Sequence, residues 1–178
     1  MILLKTTDFS GFQLIALNNQ TIPTLQAYID KFEKTFLQKI LGINLANLFI
    51  ADLANATQDP RFAVIEDLFA FEQNQSQYFS QGLKMILASM VYYEFVSNTQ
   101  SGHSSTGVYG SINESMTNKS DNDAYRYGEI RWNDALDSIE AIQWYCKTYA
   151  NQLYPTTPAM TYPEYNGQDI EPKCYFVL

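Results

Sequence analysis

Apolar residues recur at steps of three and four over five stretches of this chain, and that rhythm predicts five helices. The first starts at Thr21 or Ile22, with Pro23 in the first turn, where a backbone donor is not needed. Leu25, Ile29, Phe32, Phe36 and Ile40 make its buried stripe, while Asp30, Lys31, Glu33 and Lys34 fall mainly off it, and Gly42 supplies the stop. A short second helix takes Asn44 as its cap, carries Leu45, Leu48, Phe49 and Leu53, and fades in the turn from Asn55 to Gln58. Asp59-Pro60 opens a third, with Phe62, Ile65, Leu68 and Phe69 on one face and the polar run Glu72 to Gln77 as its end. The fourth begins near Ser80 and carries Leu83, Ile86, Leu87, Met90, Val91 and Phe95. Tyr92 and Tyr93 spread apolar surface round its other faces, which predicts a central position in a bundle.

From Ser97 to Asp123 the composition turns to Ser, Thr, Asn and Gly, with Val108, Tyr109, Ile112 and Met116 as the sizeable apolar side chains. A connection of this length is expected to be mobile or functional, with a short hairpin around Gly107 and Gly110 as one way to order it. The last helix runs from about Ala124 to Leu153, with Trp132, Leu136, Ile139, Ile142 or Gln143, Cys146, Tyr149 and Leu153 at helical spacing. Beyond it, Pro155, Pro158, Pro163 and Pro172 forbid a continuous helix. The expected fold is therefore all-α: a small bundle of about five helices in residues 1–153, a mobile loop at 97–123, and an extended Pro-rich C-terminal arm at 154–178. The arm ends in CYFVL, and large apolar side chains gain roughly 1.5–3 kcal/mol each on burial, so this end is expected to dock on its own bundle or on a neighbour.

Composition narrows the function. The 178 residues fit one domain with a sizeable core, since 46% are hydrophobic. Eleven Lys and Arg against nineteen Asp and Glu give a net charge of -8, the wrong sign for gripping nucleic-acid phosphates. Cys146 and Cys174 lie far apart, without metal or redox spacing, and are expected as free thiols in a reducing compartment. The start MILLKTTDF lacks the apolar run and cleavage site of a signal peptide, so the protein is expected to stay in the cytoplasm. Met85 to Val96, the most apolar stretch, is about half the roughly twenty residues a bilayer crossing takes, and it carries Glu94. The load of thirteen Tyr and eleven Phe suits both a core and protein interfaces.

Candidate chemistry is sparse. His103, the single histidine, sits in the polar run SGHSS, where a solvated position is preferred over a general base with a fixed partner. Glu94, in VYYEFV, is a candidate buried acid, although a place on the helix's polar edge is preferred. The run Asp121, Asn122, Asp123 resembles the start of a calcium loop but lacks its glycine and distal Glu at the required offsets. Gly102, Gly107 and Gly110 lack the following GK[ST] of a phosphate loop. Tyr125, Tyr127 and Trp132 beside Arg126 and Arg131 could stack on bases, but core packing with a subunit contact is the preferred reading. No catalytic residue, cofactor or metal ligand is assigned, and an enzyme is not expected.

The order of features carries a resemblance. TLQAYIDKFEKTFLQKILG, then a short helix, GLKMILASMVYYEFV, a loop containing STGVYGSINES, a long helix and a Pro-rich tail together resemble the head-to-tail connector, or neck adaptor, proteins of tailed bacteriophages, over about residues 20–153. The resemblance implies a virion structural protein without chemistry. Assembled in the host cytoplasm, it would form a homo-oligomeric ring, of twelve subunits by analogy, joining the portal of the DNA-filled capsid to further neck and tail proteins. Genomic DNA would pass through the lumen without specific binding, and no membrane would be involved. It also implies protein-binding residues in the loop, at Thr106, Gly107, Val108 and Tyr109, and in the tail, at Tyr175, Phe176, Val177 and Leu178. The extended tail from Pro155 departs from the core pattern, so its role rests on composition. The alternative is a helical small-ligand-binding protein or enzyme with a pocket around Glu94, lined by Tyr92 and Trp144.

Overall fold

The computed structural model describes residues 3–9, 21–73, 75–99, 101–104, 107–110, 119–153 and 170. A 3-10 turn at Thr6–Phe9 is followed by helices α1 (Thr21–Leu41), α2 (Ile43–Leu53) and α3 (Pro60–Glu66). Next come strands β1 (Phe69–Gln73) and β2 (Ser76–Ser80), helix α4 (Leu83–Thr99), strands β3 (Ser101–Ser104) and β4 (Gly107–Gly110), and helix α5 (Lys119–Leu153). The described residues are mostly helical, and the five-helix bundle expected from periodicity is present, with two hairpins added to it. Among the described residues no helix is long and apolar enough to cross a membrane.

Helix α4 is the centre of the bundle, as its all-round apolar surface implies. Leu83, Ile86, Leu87, Met90, Val91 and Tyr92 are buried, against α5 most extensively and then α1. Trp132 of α5 closes the three-helix junction, its ring edge-on to Phe36 at 5.7 Å and tilted against Tyr93 at 5.2 Å. Such aromatic pairs contribute roughly 0.5–1.5 kcal/mol beyond their buried area. At the other end of α1, Tyr28 meets Phe95 edge-on at 5.6 Å.

Gly42 separates α1 from α2 as expected and itself occupies the cap position, its carbonyl accepting from the Ala46 amide at 3.0 Å. Asn44 therefore lies inside the first turn of α2 and is not its cap. Asp52, buried at the end of α2, accepts from the Asn55 side chain at 3.2 Å and from the Asp59 amide at 3.0 Å, which delivers the chain to Pro60. The Asp59 carbonyl then accepts from Phe62 and Ala63, so the Asp-Pro start opens α3 as expected.

Three further expectations need correction. The third helix stops at Glu66, so Leu68 and Phe69 are not on its stripe, and residues 69–80 form an antiparallel hairpin with Phe69 opposite Ser80 and Gln73 opposite Ser76. The reason is a period of two hidden inside an apparent period of three and four. Phe69, Phe71, Tyr78 and Ser80 turn toward the bundle, while Ala70, Glu72 and Phe79 turn away. The fourth helix accordingly begins at Leu83 rather than near Ser80. The span 97–123 is also shorter as a loop than its composition suggests. Helix α4 continues to Thr99, with the Asn98 side chain donating back to the Glu94 carbonyl at 2.7 Å, and α5 begins at Lys119. Within that span β3 and β4 pair with Ser101 opposite Gly110, placing a hairpin where Gly107 and Gly110 suggest one.

Two polar devices lock the periphery. The buried Glu33 carboxylate accepts from the amides of Leu3 and Leu4, both at 2.6 Å, and holds the segment before the 3-10 turn against α1. Asp8 of that turn reaches Lys84 of α4 at 3.5 Å. At the far end of β2, Ser80 donates to the Ser138 carbonyl at 3.1 Å, and the Gln81 amide donates to the Ser138 hydroxyl at 3.2 Å. These two bonds fasten the first hairpin to the middle of α5. Gly82 follows with φ 84°, and a Cβ there would lie 2.4 Å from the Asp67 carbonyl carbon, so the chain re-enters α4 by passing directly over the link between α3 and β1.

A candidate docking groove beside the first hairpin

The first hairpin is aromatic on one face and half-aromatic on the other. On the inner face Phe71 stacks on Tyr78 at 5.0 Å, and Tyr145 of α5 meets Phe69 and Phe71 edge-on at 5.2 and 5.6 Å. Tyr78 also meets Trp144 at 6.2 Å. On the outer face Phe79, opposite Ala70 in the ladder, remains 57% exposed, and Leu68 at the strand entrance is 64% exposed. These are the two most exposed large apolar side chains among the described residues.

Leu68 and Phe79 form one wall of a groove of about 660 Å³ whose floor is Met85 and Ala88 of α4. Asp8, Asp67, Gln81 and Lys84 stand round it. The arrangement is an apolar trough with a charged rim, and the Lys84–Asp8 pair braces one side. Such a trough recognises an apolar, extended or helical segment, with the rim setting register. A smaller hollow of about 310 Å³ lies on α5 between Leu136, Ile139, Glu140 and Trp144, with Ile170 of the C-terminal arm in its lining. Ile170 is half-buried and packs against the core, so the arm touches its own bundle at this point.

The residues singled out in the sequence distribute differently. Gly107, Val108 and Tyr109 lie on β4, while Thr106 and the tail residues Tyr175, Phe176, Val177 and Leu178 lie outside the described residues, as does Cys174. His103 is on β3, paired with Val108, and is a strand residue rather than part of an unstructured loop. Asp121, Asn122 and Asp123 are inside α5, and among the described residues no cluster of three or more acidic, His or Cys side chains is placed to hold a metal. Trp132 is buried in the bundle and Arg131 lies over the Tyr127 ring at 4.5 Å, so Tyr127 and Trp132 do not make an open stacking platform. Burial raises the pKa of the Tyr92 hydroxyl, the nearby Tyr127 adds to that, and Arg131 opposes it.

Glu94, the carboxylate that its apolar context selects, is only partly buried and accepts from Asn98. Glu94 and Tyr92 line neither hollow, whereas Trp144 lines the one on α5, so the three do not share either site. The carboxylates that the fold buries among the described residues are Glu33, Asp52 and Glu129. Glu33 is the acceptor for the N-terminal segment, and Glu129 keeps one oxygen, Oε2, without a hydrogen-bond partner. Burial also pushes the Cys146 thiol up to about 12, which makes it an inert core group. The groove itself is absent from the sequence reading because Leu68 is there assigned to a helix stripe and Phe79 falls between the end of one expected helix and the start of the next. The alternation from Phe69 to Phe79 is the signal that finds it.

No protein-family model, no curated protein and no solved structure matches this chain.

Proposed function

We propose that the protein is a virion structural component that acts by assembly, a ring-forming head-to-tail connector joining a phage portal to the tail. The observation that carries the assembly reading is the exposed apolar groove of Leu68, Phe79, Met85 and Ala88, since apolar surface gathered in one place on a small domain marks a protein contact. The connector reading is drawn from the order of helices, loop and tail in the sequence. The net charge of -8 fits a lumen past which DNA slides without being gripped. Ring contacts are heterologous, so each subunit needs two different complementary patches, and the groove is one candidate.

The test is the mass of the purified protein by light scattering with negative-stain imaging, alone and mixed with a phage portal protein. Closed rings, or co-migration with portal, are the expected result. A protein that stays monomeric at high concentration and ignores portal would remove the connector reading.

A further inference from the structure

We propose that residues 3–9 form a strap that gates the groove beside the first hairpin: the strap stands along part of the groove's edge and lifts as a unit while the bundle stays folded, uncovering more of the floor. The sides of the groove are built differently. Behind Leu68 and Phe79 the hairpin is fixed to α5, by the bonds of Ser80 and Gln81 to Ser138 at 3.1 and 3.2 Å and by Tyr145 against Phe69 and Phe71. The rim at Asp8 belongs to the strap, and the Asp8 carboxylate lies 3.5 Å from Lys84. Lys84 and Ala88 stand one turn apart on the same face of α4, so the strap meets α4 at the edge of the floor that Met85 and Ala88 make.

The strap is braced within itself and fastened to the bundle at few points. Inside it, the Lys5 amide donates to the Asp8 carboxylate at 2.7 Å and the Asp8 amide donates to the Lys5 carbonyl at 2.9 Å, so the turn keeps its shape when it moves. It packs chiefly on α1 and α4, and no strand of either hairpin pairs with it. One oxygen of Glu33 takes the amides of both Leu3 and Leu4, at 2.6 Å, and Leu4 and Phe9 are the fully buried anchors. The Asp8–Lys84 pair is partly exposed and positions the rim rather than holding it, because water and salt screen such pairs. Leu4 and Phe9 share one core with Leu83, Ile86 and Leu87 of α4, so withdrawing them extends the groove floor along that helix. Units fastened in this way open below the free energy of global unfolding. The gate does not depend on which molecule the groove receives, nor on whether rings form.

The test follows one opening with two probes, in the full-length chain carrying Cys174→Ser, where the buried Cys146 is the remaining native thiol. The first probe is hydrogen exchange of the Leu4 amide, which Glu33 holds. The second is the rate at which DTNB labels Ala88→Cys, a thiol placed on the groove floor where the native side chain is 2% exposed. Leu4 exchange should depend on urea far less steeply than exchange of the α4 amides of Ile86 and Leu87, the mark of a partial opening. Glu33→Gln keeps the shape of the acceptor and weakens it, so both probes should speed up by one common factor, roughly tenfold, with α4 exchange unchanged. Phe9→Ala removes an anchor and leaves Glu33 in place, and should again move both probes by a common factor. Equal urea slopes for Leu4 and α4 would mean that the strap leaves only when the bundle unfolds, and would overturn the proposal. Labelling of Ala88→Cys as fast as that of Lys34→Cys, a thiol on the exposed side of α1, would overturn it by showing a floor already open. A faster Leu4 amide with unchanged labelling of Ala88→Cys would overturn it too, since the strap would then move without gating the groove.

Discussion

At the scale of single residues, the chain holds two positions where chemistry leaves little freedom. Gly82 has φ 84° and meets the Asp67 carbonyl at 2.4 Å from a would-be Cβ, so Gly82→Ala combines an unfavourable backbone region with a collision against main chain that cannot step aside. The expected loss is about 2–4 kcal/mol, read from the urea midpoint at unchanged slope. Cys146 is the second. Its thiol, fully buried and pushed up to about 12, binds its proton more tightly folded than unfolded. Stability from this group is complete below the unfolded thiol's range and declines as pH rises from there toward 12, because the unfolded chain then holds fewer protons. Tyr92, raised in the same direction, adds to that alkaline loss. Cys146 should therefore stay unmodified by iodoacetamide in the native protein and react only after denaturation, with mass spectrometry as the readout.

At the scale of elements, the long helices and the turn at Gly107 and Gly110 were legible and the first hairpin was not, for a reason visible in particular residues. Leu25, Ile29, Phe36 and Ile40 repeat over 21 residues, long enough for a period to declare itself, and all four are buried. Phe69 to Ser80 offers two five-residue strands, and Phe62, Ile65, Leu68 and Phe69 by chance continue a helical step across the boundary. Local spacing could not reveal that Ser80 would find Ser138, 58 residues away, and so tie the strand to α5. Glu33, expected mainly off the buried stripe of α1, was misread on the same grounds, whereas Glu94 is only partly buried, in keeping with the preferred polar-edge reading. Glu94 has the more apolar neighbours in sequence, yet Glu33 is the one enclosed, because the segment at Leu3 and Leu4 folds back over it. Removing that acceptor by Glu33→Ala strands two amides, one of them buried, at an expected cost of about 1–3 kcal/mol. Hydrogen exchange should show early protection lost at residues 3–9 while α4 keeps its own.

At the scale of the whole molecule, a bundle centred on α4 leaves its outer hairpin face as the place where apolar surface and charge meet. Acidic copies repel one another when they associate, whereas apolar docking does not depend on ionic strength in that way. Oligomers measured by light scattering should accordingly grow when salt is raised from about 20 to 300 mM, the reverse of the trend for an assembly held by ion pairs. The Glu33 tie has a consequence of a different kind. Its partners are main-chain amides, which every residue except proline supplies, so positions 3 and 4 can exchange one apolar side chain for another through descent without any compensating change at position 33. Paired-substitution statistics gathered from related chains would show no coupling between these sites, and a contact that fastens one end of the molecule would pass through its lineage unrecorded.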